Sequence, residues 1–139
     1  MLADLDHFKQ INDRYGHPAG DAVLIEAARR LQGHLRPVDL LARVGGEEFM
    51  IVLPGADELE AGQAAVSLCN AINSQPFEVP GINHPVSVTI SIGAVVGGGA
   101  KTDKIPVNDL IANADQALYN AKNAGRNRAK LSAPGAAVA

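Results

Sequence analysis

Tryptophan is absent and aromatic residues make up only 4% of the 139, so no row of stacking platforms for single-stranded nucleic acid can be built. Cysteine occurs once, at position 69. No internal disulfide can form, nothing implies an oxidising compartment, and Cys69 reads as inert filler of a helix. Basic residues are outnumbered, 12 against 15 acidic, for a formal charge of -3. That balance excludes a non-specific grip on nucleic acid, which needs clustered cations to displace counterions. Contact with phosphate must therefore be local. No apolar run approaches the roughly 20 residues needed to span a bilayer, so no membrane contact is expected from this segment. Met1-Leu2-Ala3-Asp4 lacks the basic start and apolar stretch of a secretion signal. What remains, 47% apolar and 19% charged residues, is the composition of one soluble domain, expected to be cytoplasmic.

Elements follow from periodicity. Met1 to Leu5 is a short apolar run ending at acidic residues and reads as a buried strand. Asp6 is placed to cap a helix in which Phe8, Ile11 and Tyr15 recur at helical spacing. Gly16-His17-Pro18-Ala19-Gly20 reads as a break, with a second helix starting near Asp21 and ending before Pro37. Leu40 to Val44 and Phe49 to Leu53 form a hairpin around Gly45-Gly46-Glu47-Glu48, where glycine would supply a positive φ. Asp57 to Ser74 is helical, with Leu59, Ala64, Ala65, Leu68 and Ile72 as its apolar positions. Pro76 to Pro85 is an irregular link or small hairpin, and Val86 to Ile92 alternates like a half-buried strand. Gly97-Gly98-Gly99 begins a loop, Val107 to Asn123 is the last helix, and Gly125 is its C-cap. Arg128 to Leu131 is an edge strand and 132–139 a disordered tail. Strands alternating with helices, with one hairpin between, imply an α/β sandwich with a mixed sheet and flanking helices.

Two groups of residues carry chemistry. Asp4 and Asp6 point to the same side at the end of the first strand, where two carboxylates could hold a hard cation. Asp6 is equally explained as a helix cap. Asp4 is not, because an acid ending a buried strand must be solvated, paired or metal-bound. In Gly45-Gly46-Glu47-Glu48-Phe49, adjacent glutamates repel and gain nothing unless a cation or donor lies close by.

These residues resemble the GGDEF family, with Glu in place of Asp in the motif that names it. The likeness continues through Asp4-Leu5-Asp6-His7-Phe8-Lys9-Gln10-Ile11-Asn12-Asp13, Tyr15-Gly16-His17, Gly20-Asp21, Val88 to Gly93, Ala114-Asp115-Gln116-Ala117-Leu118-Tyr119 with Ala121-Lys122, and Gly125-Arg126-Asn127. It covers Met1 to about Leu131. The domain, at 1–131, would be trimmed at its front, because the family normally begins earlier with a helix bearing an Asp-x-Leu-Thr motif and an Asn-Arg-Arg segment.

The resemblance implies a ferredoxin-like core of the nucleotidyl-cyclase and polymerase-palm type. It also implies a diguanylate cyclase that condenses two GTP into cyclic di-GMP. Asp4, Glu47 and the Leu5 carbonyl would hold magnesium, two ions per half-site with manganese as a substitute. Glu48 would be a second metal ligand or the base for the attacking hydroxyl, and both roles stay open. By the same resemblance Asn12 and Asp21 read guanine, although Asp21 would also serve as an N-cap. Lys122 and Arg126 neutralise the β- and γ-phosphates with the backbone N–H groups of Phe8 and Lys9, while Gly45 and Gly46 let substrate approach the turn. Without a ligand, Lys122 and Arg126 would simply complement a helix C-terminus. Arg36 and Asp39 match an inhibitory product site, without the arginine that the following helix often adds near Ser67. The implied partner is a second copy in a transient homodimer. Two other readings are a domain that holds nucleotide without turnover, and a palm making a linear or mononucleotide product. His17 reads as structural, and His7, His34 and His84 show no ligand spacing.

Overall fold

The computed structural model describes residues 1–97 and 105–132. The elements run β1 (Leu2–Leu5), α1 (Phe8–Tyr15), α2 (His17–Gly33), β2 (Leu40–Arg43), β3 (Glu48–Val52), α3 (Glu58–Asn73), β4 (Ile90–Val95), α4 (Val107–Asn123) and β5 (Arg128–Ser132). One five-stranded sheet has the order β2-β3-β1-β4-β5, antiparallel throughout except for the parallel pair β4 and β5. The first four strands thus form the expected ferredoxin-like plan, to which α4 and β5 are appended.

The two faces of the sheet are covered differently. Ala3, Leu5, Phe49, Ile51, Ile90 and Ile92 join one core with Phe8, Val23, Leu31, Leu68 and Ile72 of α1, α2 and α3. Helix α4 lies on the opposite face, so close to β4 that a Cβ on Gly93 would stand 2.2 Å from the Ala114 carbonyl oxygen and from the Leu118 nitrogen. No side chain fits there. Strand β4 is consequently buried on both faces, Ser91 included. Outside α4, the same face leaves Leu40 and its cross-strand partner Val52 exposed.

Several expected boundaries move. Helix α2 starts at His17, not Asp21, because Pro18 is tolerated in a first turn. Asp21 is therefore inside the helix and caps nothing. Strand β4 begins at Ile90, and the half-buried run expected from Val86 reduces to one bridge between Phe77 and Val86. Val86 and Val88 are nevertheless buried, so the alternation reports burial rather than sheet pairing. Leu59 is exposed instead of belonging to the apolar side of α3. A capping box does begin α3, with Asp57 and Glu60 each accepting from the other's backbone N–H. Gly125 (φ 120) lies one residue past the C-cap Ala124. Its N–H reaches the Lys122 carbonyl and that of Arg126 reaches Ala121, which together make a Schellman closure. Ser132 belongs to β5 and not to the tail expected over 132–139, and the rest of that tail, like Gly98 and Gly99, lies outside the described residues.

Candidate active site

The site forms where β1 ends. Asp4 lies directly opposite Glu48 on β3 and Ser91 on β4, so the three side chains share the face that α4 covers. Asp4 is buried, 7% exposed, and its Oδ2 accepts from the Lys122 Nζ at 2.8 Å. The carboxylate expected to hold metal and the ammonium expected to hold phosphate are thus partners. Each offsets the desolvation of the other. The Leu5 N–H donates to the Glu47 carbonyl at 3.2 Å, which fixes the hairpin turn to the end of β1.

The turn does not use glycine as the sequence suggests. Neither Gly45 nor Gly46 is in the left-handed region. Gly45 lets the Glu48 carboxylate fold close over the turn, since a Cβ there would stand 2.8 Å from the Glu48 Oε2 and would push that side chain aside. Gly46 has nothing within 4 Å of that position, so its backbone is open to a ligand. Arg43, which the sequence reading overlooked, donates from Nε to the Gly45 and Gly46 carbonyls at 3.1 and 3.0 Å. Glu47 is half-buried and Glu48 exposed.

Helix α1 starts without the cap expected of Asp6. His7 occupies the cap position with φ 56 and no side-chain hydrogen bond. The Asp6 carboxylate is turned to Ser91 Oγ, Thr89 Oγ1 and the Asn127 N–H instead. Three donors, with Ser91 fully buried, hold it more firmly than two helix N–H groups at an exposed end would. The N–H groups of Phe8 and Lys9 are left with no acceptor among the described residues, an arrangement that suits an anion. The Phe8 ring is in the core and Lys9 faces solvent.

Asn12 lies against Gly20 where α1 and α2 cross, and Asp21 follows Gly20 on α2. Gly20 makes the crossing possible, since its Cβ would overlap the Asn12 amide. Asn12 is half-buried and Asp21 exposed. Arg126, exposed just beyond α4, has φ 61 and a guanidinium with no protein partner among the described residues.

Arg36 and Asp39 make a clamp away from these groups. Asp39 Oδ1 accepts from Arg36 Nη2 at 2.8 Å and Oδ2 from the Arg36 backbone N–H at 2.7 Å. These bonds from Arg36 hold the Asp39 carboxyl below its usual range. Arg36 Nη2 also donates to the Pro54 carbonyl. Asp39 is buried and the Arg36 side chain is half exposed, so Asp39 aims the arginine and leaves the outward contact to it.

Among the described residues no three His, Cys, Asp or Glu side chains are gathered into a closed metal site. Oxygen donors on Asp4, Glu47 and Glu48 nonetheless fit a hard cation that takes its remaining ligands from water and phosphate.

A mixed sheet with helices on both faces, acidic groups at the end of its central strand and a basic helix end beside them defines an α/β domain of the ferredoxin-like type. The family model described as "Diguanylate cyclase, GGDEF domain" matches residues 1–128, and the chain belongs to that family. It is 45% identical over 131 residues to diguanylate cyclase DgcP of Pseudomonas aeruginosa, covering 94% of this chain and 18% of that protein. It is 41% identical over 128 residues to the probable diguanylate cyclase DgcT of Escherichia coli, covering 92% and 28%. The chain thus spans less than a third of these curated relatives. Among solved structures it resembles the active GGEEF domain of a Vibrio cholerae diguanylate cyclase, with TM-score 0.82, 31% identity and coverage of 98% and 81%. The GGDEF domain of DgcB from Caulobacter crescentus, solved with c-di-GMP, matches with TM-score 0.83, 28% identity and coverage of 97% and 76%.

Proposed function

We propose that this chain is a diguanylate cyclase domain that joins two GTP molecules into cyclic di-GMP, with each domain of a transient pair supplying half of the site. The observation that carries the reading is the Asp4 carboxylate, opposite Glu48 and paired with Lys122, beside the uncapped start of α1. That arrangement supports a site in which cation ligands and phosphate ligands lie side by side.

Asp4, Glu47, the Leu5 carbonyl and Glu48 would hold the divalent ions, magnesium or manganese. When bound, the metal lowers the charge on the triphosphate and makes the 3′-hydroxyl a better nucleophile. The chain's own groups do the remaining work. Lys122, Arg126 and the Phe8 and Lys9 N–H groups hold the β- and γ-phosphates, so that pyrophosphate leaves into a preformed cationic cradle. Asn12 and Asp21 recognise guanine. The Asp21 carboxylate accepts from N1–H and the 2-amino group, which adenine lacks in that pattern. Glu48, exposed and adjacent to the metal ligands, accepts the proton of the attacking hydroxyl or completes the metal shell. A cyclic product needs each 3′-hydroxyl to reach the other nucleotide's α-phosphate, and a two-fold pair of domains provides that geometry. Arg36, aimed by Asp39, is the contact for inhibitory product.

Incubation with GTP and magnesium, followed by chromatographic separation of the nucleotides, tests the reading. Cyclic di-GMP is expected from the wild type and none from Glu47→Ala. A mononucleotide or a linear dinucleotide as end product would contradict it.

A further inference from the structure

Asp6 is a buried carboxylate with three hydrogen bonds that metal binding and phosphate contact do not account for. It is 5% exposed and forms no ion pair among the described residues. Its Oδ1 accepts from Ser91 Oγ at 2.7 Å, and its Oδ2 accepts from Thr89 Oγ1 at 2.7 Å and from the Asn127 N–H at 3.0 Å. A buried carboxylate without a counter-charge is tolerable only when donors satisfy it in this way.

What the carboxylate holds is an otherwise unfavourable turn. Gly125, Arg126 and Asn127 follow one another with φ of 120, 61 and 49. Two consecutive non-glycine residues in the left-handed region need compensation from their surroundings. The Arg126 carbonyl accepts from Arg128 Nε, the Asn127 side chain accepts from Asn73, and the Asn127 N–H is taken by Asp6. On its other side Asp6 leads directly into His7 and the uncapped N–H groups of Phe8 and Lys9.

We propose that Asp6 is a positioning residue that ties the α4–β5 turn to the start of α1, fixing Arg126 against the backbone cradle so that both meet one triphosphate. This rests on the phosphate grip described under Proposed function. Asp6 itself touches no substrate. A carboxylate accepts from all three at once, whereas an amide would oblige one of the two hydroxyls to turn and accept in place of donating.

The test is equilibrium binding of GTP, GDP and GMP with magnesium to the wild type, Asp6→Asn, Arg126→Ala and the double variant, below the melting temperature of each. Asp6→Asn is expected to weaken GTP about tenfold while leaving GMP nearly unchanged, and to add little to Arg126→Ala. Thr89→Val, which removes one donor and keeps the carboxylate, should show the same triphosphate-selective loss at smaller size, and serves if Asp6→Asn does not fold. Equal weakening of all three nucleotides, or a full additive loss in the double variant, would overturn the proposal and leave Asp6 as a packing contact. A wild type that binds GTP no better than GMP would instead overturn the phosphate grip on which the proposal rests.

Discussion

Asp4 and Glu47 illustrate how much one acidic residue depends on its neighbours. Asp4 is buried against Lys122, and its substitution by Ala leaves that ammonium half-buried without a partner. Asp4→Ala is therefore expected to abolish turnover and also to cost roughly 1–3 kcal/mol of stability. Glu47→Ala should abolish turnover with the fold almost unaffected, since only its carbonyl is bonded within the described residues. Circular dichroism melts beside activity assays separate the two; near-normal turnover in either variant would remove the metal assignment. Asp21→Ala should relax the preference for GTP over ATP, and unchanged selectivity would leave Asp21 as a plain helix residue. Cys69 behaves oppositely to these groups. Burial, helped by the charge of Asp6, pushes its thiol up to about 12. A folded value raised above the unfolded 9.0 means that its contribution to stability is complete below about pH 9 and fades as pH rises towards 12. At pH 8 a thiol reagent should leave the native protein unlabelled and label one thiol after denaturation. Rapid native labelling would show that α3 does not shield it.

Helix α4 is the element on which the site depends most, because it carries Lys122 and leads into Arg126 while resting on β4 without a side chain between. Gly93→Ala must push α4 off the sheet or fail to fold. It is expected to lose several kcal/mol by overpacking and, where folded, most of its activity through displacement of Lys122 from Asp4. Arg30 does comparable work on the other side. It donates to the carbonyls of Ile72, Gln75 and Pro76 and lies over the Phe77 ring at 3.9 Å. Arg30→Ala should cost about 2–4 kcal/mol without altering nucleotide selectivity, measurable by urea titration. Helix α4 was legible in full, since its apolar spacing is regular and no capping choice competes. The start of α2 was not, because His17-Pro18-Ala19-Gly20 looks like a loop unless one knows that Gly20 serves a helix crossing at Asn12. Asp4 stood out as an acid that capping could not explain. Asp6 was misread as a cap, because its real partners lie 83 to 121 positions away and leave no local signal. Arg30 leaves as little trace, with partners 42 to 46 positions on, whereas Arg43 bonds carbonyls only two and three residues ahead, a contact set by the shape of the turn and not by any residue pattern.

At the scale of the whole molecule, one domain would, in the proposed function, offer one set of groups for one nucleotide: Asp4 with Glu47, Lys122 with Arg126, and the start of α1. In that proposal two-fold pairing would turn the half-site into a cyclase, and the clamp of Arg36 and Asp39 would add a means of stopping it. Arg36→Ala should relieve inhibition by added cyclic di-GMP without lowering the initial rate. Equal inhibition in both proteins would reduce the clamp to a fastening between the end of α2 and Pro54. The exposed turn around Gly46 provides little apolar area for a lasting interface, so substrate should hold the pair together. The most direct measurement is the rate of cyclic di-GMP formation per mole of protein, with GTP saturating, across a dilution series. Cyclic di-GMP as the product and a rate that falls on dilution are the results expected of paired half-sites. No cyclic product at any concentration would contradict the function, and a flat rate from a species that sediments as a monomer throughout would contradict the pairing.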